Sequence, residues 1–330
     1  MRVISLFSGA GGMDLGFVRA GYEIVWANDC WSDAVETYKQ NLGDNICCTD
    51  IAEIDAATIP NADILIGGFP CQGFSVANMN RHTGDKRNLL YQQFLRVLEA
   101  KKPKFLLAEN VKGILSLGQG RVFKMILTDF AGIGYEIQYA VLNAADYGVP
   151  QRRERVFLFG KRTDVEARLK FPPPTTHAPR ELALLTGKIP WIGVAEALRD
   201  IPDPEKPHML QNHDYTRYKL RFNGYLGHRT IDGDLPAPTI TARGDDKGGV
   251  VILHHPGNKR RLSAREAAIV QSFPIDYNFF GCKTTIYRQV ANAVPPKLAE
   301  AVARWLATSL QGWKSSSPAH YAEREMEDVR

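Results

Sequence analysis

An α/β fold with a mostly parallel sheet covered on both faces, plus a smaller irregular domain, is what this 330-residue sequence predicts. Three observations predict it. Short apolar runs bounded by Gly, Pro, Asn or Asp alternate with longer amphipathic stretches through the first half. The alternation stops at Phe171-Pro172-Pro173-Pro174, after which the chain is rich in Pro, Gly, His and charge. One strongly periodic stretch then returns near the end.

The strand-like runs are residues 3–7, 24–27, 45–48, 64–66, 105–108 and 156–159, and the helix-like stretches between them are 31–41, 89–100 and 122–130. Strand and helix in alternation argue for parallel pairing with crossover helices. The late helix is residues 297–310, where Leu298, Val302, Trp305 and Leu306 share a face after Pro295-Pro296. The expected division is a catalytic and cofactor-binding domain over 1–172, a small domain over 173–284, a return segment over 285–311 that packs on the first domain, and a polar tail over 312–330.

Composition excludes several classes. At 44% hydrophobic and 23% charged the chain is globular, and nothing in it resembles a secretion signal or a membrane span. Five cysteines (Cys30, Cys47, Cys48, Cys71 and Cys282) are odd in number and lack C-x-x-C spacing, which suits free thiols in a reducing cytoplasm. No metal is expected, because His228, His254 and His255 have no evident companion ligands. The net charge of +5 is compatible with a polyanion. Arg152, Arg153 and Arg155 form one basic cluster and Lys259, Arg260 and Arg261 another; each reads as a phosphate-tracking surface or as solvated charge.

In a doubly wound sheet, ligands bind beyond the carboxyl ends of the strands. The predicted strands lead there to Ser8-Gly9-Ala10-Gly11-Gly12, to Asn28-Asp29, to Asp50, to Gly67-Gly68-Phe69-Pro70-Cys71-Gln72 and to Glu109-Asn110-Val111. The glycine loop alone reads as a cofactor cradle or as a tight turn, and Asp14 stands where a nicotinamide fingerprint would want a third glycine. Asp29, 20 residues after Gly9, and Asp50 suit ribose hydroxyls and an adenine amino group. A cysteine after a strand is ordinarily inert core. Beside Glu109 and the glycine loop, Cys71 reads instead as a nucleophile.

Phe7-Ser8-Gly9-Ala10-Gly11-Gly12, Gly68-Phe69-Pro70-Cys71-Gln72, Glu109-Asn110-Val111, Gln151-Arg152-Arg153-Glu154-Arg155, Arg265-Glu266-Ala267-Ala268 with Gln271-Ser272-Phe273-Pro274, and Gln289-Val290-Ala291-Asn292-Ala293-Val294-Pro295 follow one another in this order. They resemble the ordered motifs of the DNA cytosine-5 methyltransferases, over about residues 2–160 and 260–310. The resemblance implies a Rossmann-like S-adenosylmethionine-dependent methyltransferase fold whose small domain recognises the target, with S-adenosylhomocysteine as product.

It also implies roles. Cys71 would add to C6 of a cytosine flipped out of duplex DNA, Glu109 would hydrogen-bond or protonate N3, Arg155 would steady the base near O2, and Arg153 would serve the adjacent phosphate or the same pocket. The cofactor pocket would be Phe7, Gly9, Ala10, Gly11, Gly12, Asp29, Asp50, Ile51, Pro70, Leu90, Asn292 and Ala293. Gln72 and Ser75 would touch DNA from a closing loop over 72–87, and Thr239, Thr241 and Arg243 from the target-reading segment, with Arg243 bonding a guanine or else a phosphate or a salt-bridge partner. One departure stands out: where many relatives carry an aromatic after the acidic ribose ligand, this chain has Cys30 and then Trp31, so the adenine contact stays open.

The expected partner is double-stranded DNA, bound by a monomer in a bacterial cytoplasm at the nucleoid. A motif set that starts at residue 2 suits a modification enzyme with a cognate restriction endonuclease as functional rather than physical partner. A tRNA cytosine methyltransferase, a catalytically dead DNA-binding relative and a dehydrogenase are the competing readings. The last leaves Pro70-Cys71 and residues 151–155 unexplained.

Overall fold

The computed structural model describes residues 1–70, 88–215, 230–242, 253–257 and 260–310. The first half builds β1 (Arg2–Leu6), α1 (Gly12–Arg19), β2 (Glu23–Asp29), α2 (Ser32–Leu42), β3 (Ile46–Cys48), β4 (Ile64–Gly67), α3 (Asn88–Lys101), β5 (Phe105–Val111), α4 (Arg121–Gly132), β6 (Tyr135–Asn143), β7 (Gln151–Arg152) and β8 (Glu154–Arg162). Among the described residues, seven strands form one sheet in the order β3-β2-β1-β4-β5-β8-β6. Pairing from β3 through to β5 is parallel, whereas β8 is antiparallel to both β5 and β6.

The sheet is buried on both faces because successive side chains point opposite ways. Val3, Ile64, Ile66, Phe105, Leu107, Phe157 and Phe159 pack with Met13 and Phe17 of α1 and Val35 and Tyr38 of α2. Ile4, Leu6, Leu65, Leu106, Val156 and Leu158 face the other way, onto Phe94 and Val97 of α3 and Ile126 and Phe130 of α4. This double burial explains why the strands read as continuous apolar runs. The fold class expected from the sequence is the fold observed.

β6 was not among the expected strands. It is an edge strand, and most of its residues are exposed or half-buried, Tyr139 and Val141 among them, so no apolar run marks it.

The rest of the chain adds β9 (His177–Ala178), α5 (Arg180–Thr186), β10 (Ile189–Pro190), α6 (Val194–Ala197), β11 (Ala237–Pro238), α7 (Ala264–Val270), α8 (Lys283–Asn292) and α9 (Pro296–Ser309). A separate cluster joins Val194, Ile240, Leu262, Phe273, Tyr277 and Val290 to Ala10 of the glycine loop. Helix α7 starts with a capping box in which Ser263 and Glu266 satisfy each other's backbone N–H groups. Helix α9 buries Leu298, Val302 and Leu306 in the same core as α1, and Tyr22 donates to the carbonyl of Ala303. Trp305 meets Phe159 and Phe171 edge-on. No helix among the described residues is long and apolar enough to cross a membrane.

A buried carboxyl sits beneath the glycine loop. Asp14 is fully buried in α1, and Ser5 donates to its Oδ1 at 2.7 Å. Burial pushes it up to about 6 from 3.8, against the Ser5 and Tyr38 hydroxyls, while Asp29 adds slightly to the rise. The folded state therefore holds this proton in a window where the unfolded chain has lost it. The resulting stabilisation is complete below about pH 4 and is lost as pH rises through 6, by about 3 kcal/mol. Asp14→Asn is expected to gain stability relative to the parent between pH 4 and pH 7.5, as read by urea unfolding at both values. An equal difference at the two pH values would show that Asp14 keeps an ordinary affinity for its proton.

Candidate active site

Strand register aligns the functional loops on one rim. Leu6 is paired with Asn28 and with Gly67, Asp29 with Cys48, and Gly67 with Ala108. The residues that follow these positions therefore leave the sheet at one level. Because β8 runs antiparallel, its N-terminal end also lies there, with Arg155 opposite Val111 and Phe157 opposite Glu109. Glu109 and Arg155 thus become diagonal neighbours on one face of the sheet.

Their side chains form an ion pair, Arg155 Nε to Glu109 Oε1 at 3.0 Å, with both largely shielded from solvent. A Cβ added at Gly68 would lie 3.0 Å from Glu109 Oε2, a tight contact, so the glycine lets the carboxylate lie close against the turn leading to Cys71. Asn110, also buried, donates to the carbonyl of Phe69 at 2.9 Å and holds the same turn from β5. Burial raises the Glu109 carboxyl above its ordinary value, with Arg155 and then Arg153 opposing. Cys71 itself, with Gln72, Ser75 and Arg243, lies outside the described residues.

Arg153, expected at the adjacent phosphate or in the same pocket as Arg155, is enclosed by the protein. It is 1% exposed, and its guanidinium donates to the carbonyls of Ile240 at 3.1 Å and Ala291 at 2.8 Å. Burial disfavours its charge, Arg155 adds to the effect, and Glu109 opposes it. Its neighbours Arg152 and Arg155 instead face an open cleft lined also by Lys112, Asn143, Glu154 and Thr239. Lys112 pairs with Glu154 at 2.9 Å, and Thr239 donates to the Arg152 carbonyl at 2.8 Å. Lys112 and Asn143 were not singled out from the sequence; Lys112 directly follows Glu109-Asn110-Val111 and was within reach of that motif. Thr241 is half-buried two residues further along the same segment.

The glycine loop leaves β1 at Phe7, whose φ of 55° is left-handed and costs about 1–2 kcal/mol for a residue with a Cβ. Ser8 N–H bonds the Asn28 carbonyl at 3.0 Å and helps hold that turn. Gly9 and Gly11 continue with φ of 54° and 80°, and Gly11 caps α1. Gly12 is closed in by the Val294 carbonyl and by Ala293, so the loop and the residues after α8 touch directly. Ala10 is buried, and its carbonyl accepts from Tyr277 at 2.5 Å.

Asp29 accepts from Gly9 N–H at 2.8 Å and Trp31 N–H at 2.9 Å. Burial raises its carboxyl, against the N–H groups of Trp31, Gly9 and Cys30. Asp50 is exposed and accepts from Ala52 N–H with Oδ1. Ile51 is buried, Leu90 half-buried, and Pro70 and Asn292 exposed. Trp31 turns toward α8, with the Arg288 guanidinium 6.0 Å from its ring centre, while Cys30 is exposed.

S-adenosylmethionine fits these residues. Among the described residues a Cβ at Gly9 would meet nothing within 4 Å, so the loop backbone has space there for a ligand to approach it. Carboxylate oxygens of Asp29 and Asp50 keep lone pairs for hydroxyl and amino donors. Phe7 and Leu90, both half-buried, pack against the apolar cluster that contains Ile51.

Comparison with known proteins points the same way. The family model described as C-5 cytosine-specific DNA methylase matches residues 1–233 and, overlapping that span, 211–307. The type II methyltransferase M.NgoFVII of Neisseria gonorrhoeae is 39% identical over 319 residues, covering 90% of this chain and 83% of its own length. M.MthTI of Methanothermobacter thermautotrophicus, also a type II methyltransferase, is 36% identical over 340 residues, covering 94% and 98%. Among solved structures, a prophage-encoded DNA modification methyltransferase from E. coli superposes with a TM-score of 0.75 at 24% identity, covering 94% of this chain and 99% of that one. The Dnmt2 methyltransferase of S. pombe superposes at 0.68 and 18% identity, covering 96% and 100%; at such identities these two likenesses speak for the fold alone.

Proposed function

This chain belongs to the C-5 cytosine-specific DNA methylase family, and from that premise we propose that it methylates a flipped-out cytosine through covalent attack by Cys71. The observation that carries the proposal is the Glu109–Arg155 pair at 3.0 Å, set against Gly68 and three residues from the sulfur's own position. C5 of cytosine is a poor nucleophile. Addition of the Cys71 thiolate to C6, with a proton passed from Glu109 to N3, converts the ring to an enamine whose electrons reach C5. S-adenosylmethionine, when bound, supplies an electrophilic methyl group for that carbon. Loss of the C5 proton to a base then restores the C5–C6 double bond and expels Cys71 as thiolate.

Arg155 holds the base at O2 and keeps Glu109 in place. None of these atoms is reachable within a stacked duplex, so the target nucleotide leaves the helix. The cofactor is held by the loop from Phe7 to Gly12, by Asp29, Asp50 and Ile51, by Pro70 and Leu90, and by Asn292 and Ala293. Gln72, Ser75, Thr239, Thr241 and Arg243 engage DNA, and the segment over 173–284 selects its sequence. The likeness to type II methyltransferases supports a modification enzyme; a monomer in the cytoplasm, working opposite a cognate endonuclease, is part of the same proposal.

The test is methyl transfer from labelled S-adenosylmethionine to plasmid DNA and, in parallel, to tRNA, followed by bisulfite sequencing of the plasmid. The expected result is 5-methylcytosine at one short recurring sequence in DNA. Label in tRNA with unmodified plasmid would overturn it.

A further inference from the structure

A buried network of side-chain amides and one guanidinium links two regions that the proposed function assigns to different ligands. Segment 237–240 runs beside residues 150–153: Ala237 and Pro238 pair with Gln151 and Arg152 as parallel strands, and Thr239 donates to the Arg152 carbonyl. Both backbone groups of Ile240 are then taken by the side chains of Gln151 and Arg153. Its N–H donates to Gln151 Oε1 at 3.2 Å, and its carbonyl accepts from Arg153 at 3.1 Å.

The other ends of the same side chains reach the cofactor side. Arg153 donates its second terminal nitrogen to the Ala291 carbonyl at 2.8 Å. Gln151 donates to Gln271 Oε1 at 2.5 Å, and Gln271 donates in turn to the Ala293 carbonyl at 2.7 Å. Gln151, Arg153 and Gln271 are each at most 1% exposed, so water cannot replace a partner lost from this network. Ala293 and the Val294 carbonyl close over Gly12 with no room for a Cβ, which leaves little slack between this turn and the glycine loop.

We propose that Gln151, Arg153 and Gln271 are positioning residues that couple DNA engagement at residues 239–242 to cofactor binding at residues 291–293. The proposal rests on the reading of those two segments given above. A shift of Ile240 on binding DNA displaces the side chains that hold both of its backbone groups. The same side chains fix the carbonyls of Ala291 and, through Gln271, Ala293. Arg153 also leaves its buried Nε without a hydrogen-bond partner, so the arrangement seen here does not exhaust its donors. A second arrangement, adopted with DNA in place, has a donor available to it. Coupling between two ligands is reciprocal and amounts to about 5- to 150-fold in affinity.

The experiment measures the dissociation constant of S-adenosylhomocysteine with and without a short duplex carrying the site mapped by bisulfite sequencing. The constant of the duplex is measured with and without S-adenosylhomocysteine. The parent protein is expected to give the same factor, on the order of tenfold, in both directions. Gln271→Met removes both of its bonds at nearly constant volume but leaves the Arg153 link between Ile240 and Ala291, so it is expected to lower the factor to about threefold, while each ligand alone still binds. If that variant does not fold, Gln271→Glu retains an acceptor for Gln151 and loses the donor to Ala293, and it is expected to lower the same factor. A parent factor of one, or a factor unchanged in the folded variant, overturns the coupling. Failure of the parent protein to methylate DNA at all would instead overturn the function on which the proposal rests.

Discussion

Cys71→Ala is expected to abolish methyl transfer, by roughly 10⁴-fold or more, while binding of DNA and of S-adenosylhomocysteine stays measurable. The size of the effect follows from the chemistry. Without addition at C6 the ring has no enamine, and C5 faces the methyl donor as an unactivated aromatic carbon. Lowering the rate by that factor corresponds to about 5.5 kcal/mol of barrier, more than positioning by neighbouring residues would restore. Retained binding is the necessary control, since it separates a lost nucleophile from a lost fold. A companion measurement uses duplex DNA with 5-fluorocytosine at the mapped site. Fluorine replaces the proton that must leave C5, so Cys71 cannot be expelled after methylation and a protein–DNA adduct should survive denaturation. Full activity in Cys71→Ala, or no adduct from the parent protein, sinks covalent catalysis by this residue.

Much of the architecture was legible because its causes are local. Strands buried on both faces must read as apolar runs, and residues such as Asp29, Gly68 and Glu109 stand out because they end those runs. Parallel register then carries them to one level, a consequence of topology that alternating elements already imply. The direction of β8 was not legible, because apolar content does not distinguish parallel from antiparallel pairing. Yet that direction brings Arg155 beside Glu109 from 46 positions away in the chain.

Long-range hydrogen bonds were the other blind spot. Arg153 sits in a motif rich in arginine, and its neighbours Arg152 and Arg155 do reach the open cleft. Its own partners lie 87 and 138 residues further on, and no pattern in the motif singles it out. The ring contact of Trp31 is of the same long-range kind. Trp31 gives its N–H to Asp29, which fixes the backbone at the start of α2, and its ring turns to Arg288. The ring of Trp31 thus meets Arg288 of α8, while Cys30 lies at the surface.

Glu109→Gln is expected to lower kcat by about 10²- to 10⁴-fold with modest change in binding, the range for loss of a positioned proton donor. Glutamine has nearly the same shape and offers an N–H, so it can hydrogen-bond N3 but has no proton to transfer. The pH dependence separates this role from simple packing. Burial raises the Glu109 carboxyl above the ordinary glutamate value, and Arg155 opposes the rise without cancelling it. A raised value means that the protonated, proton-giving form persists to higher pH than an exposed glutamate would allow. The contribution of Glu109 is therefore complete well below its raised value and is lost as pH climbs through it. The parent enzyme should show a fall on the alkaline side of its kcat profile that Glu109→Gln lacks. Arg155→Ala should move that fall to higher pH, because removing the guanidinium takes away the main influence that favours the carboxylate. A Glu109→Gln enzyme with the parent kcat, or with the same alkaline fall, would mean that N3 receives no proton from this side chain and that the Glu109–Arg155 pair only holds the base in position.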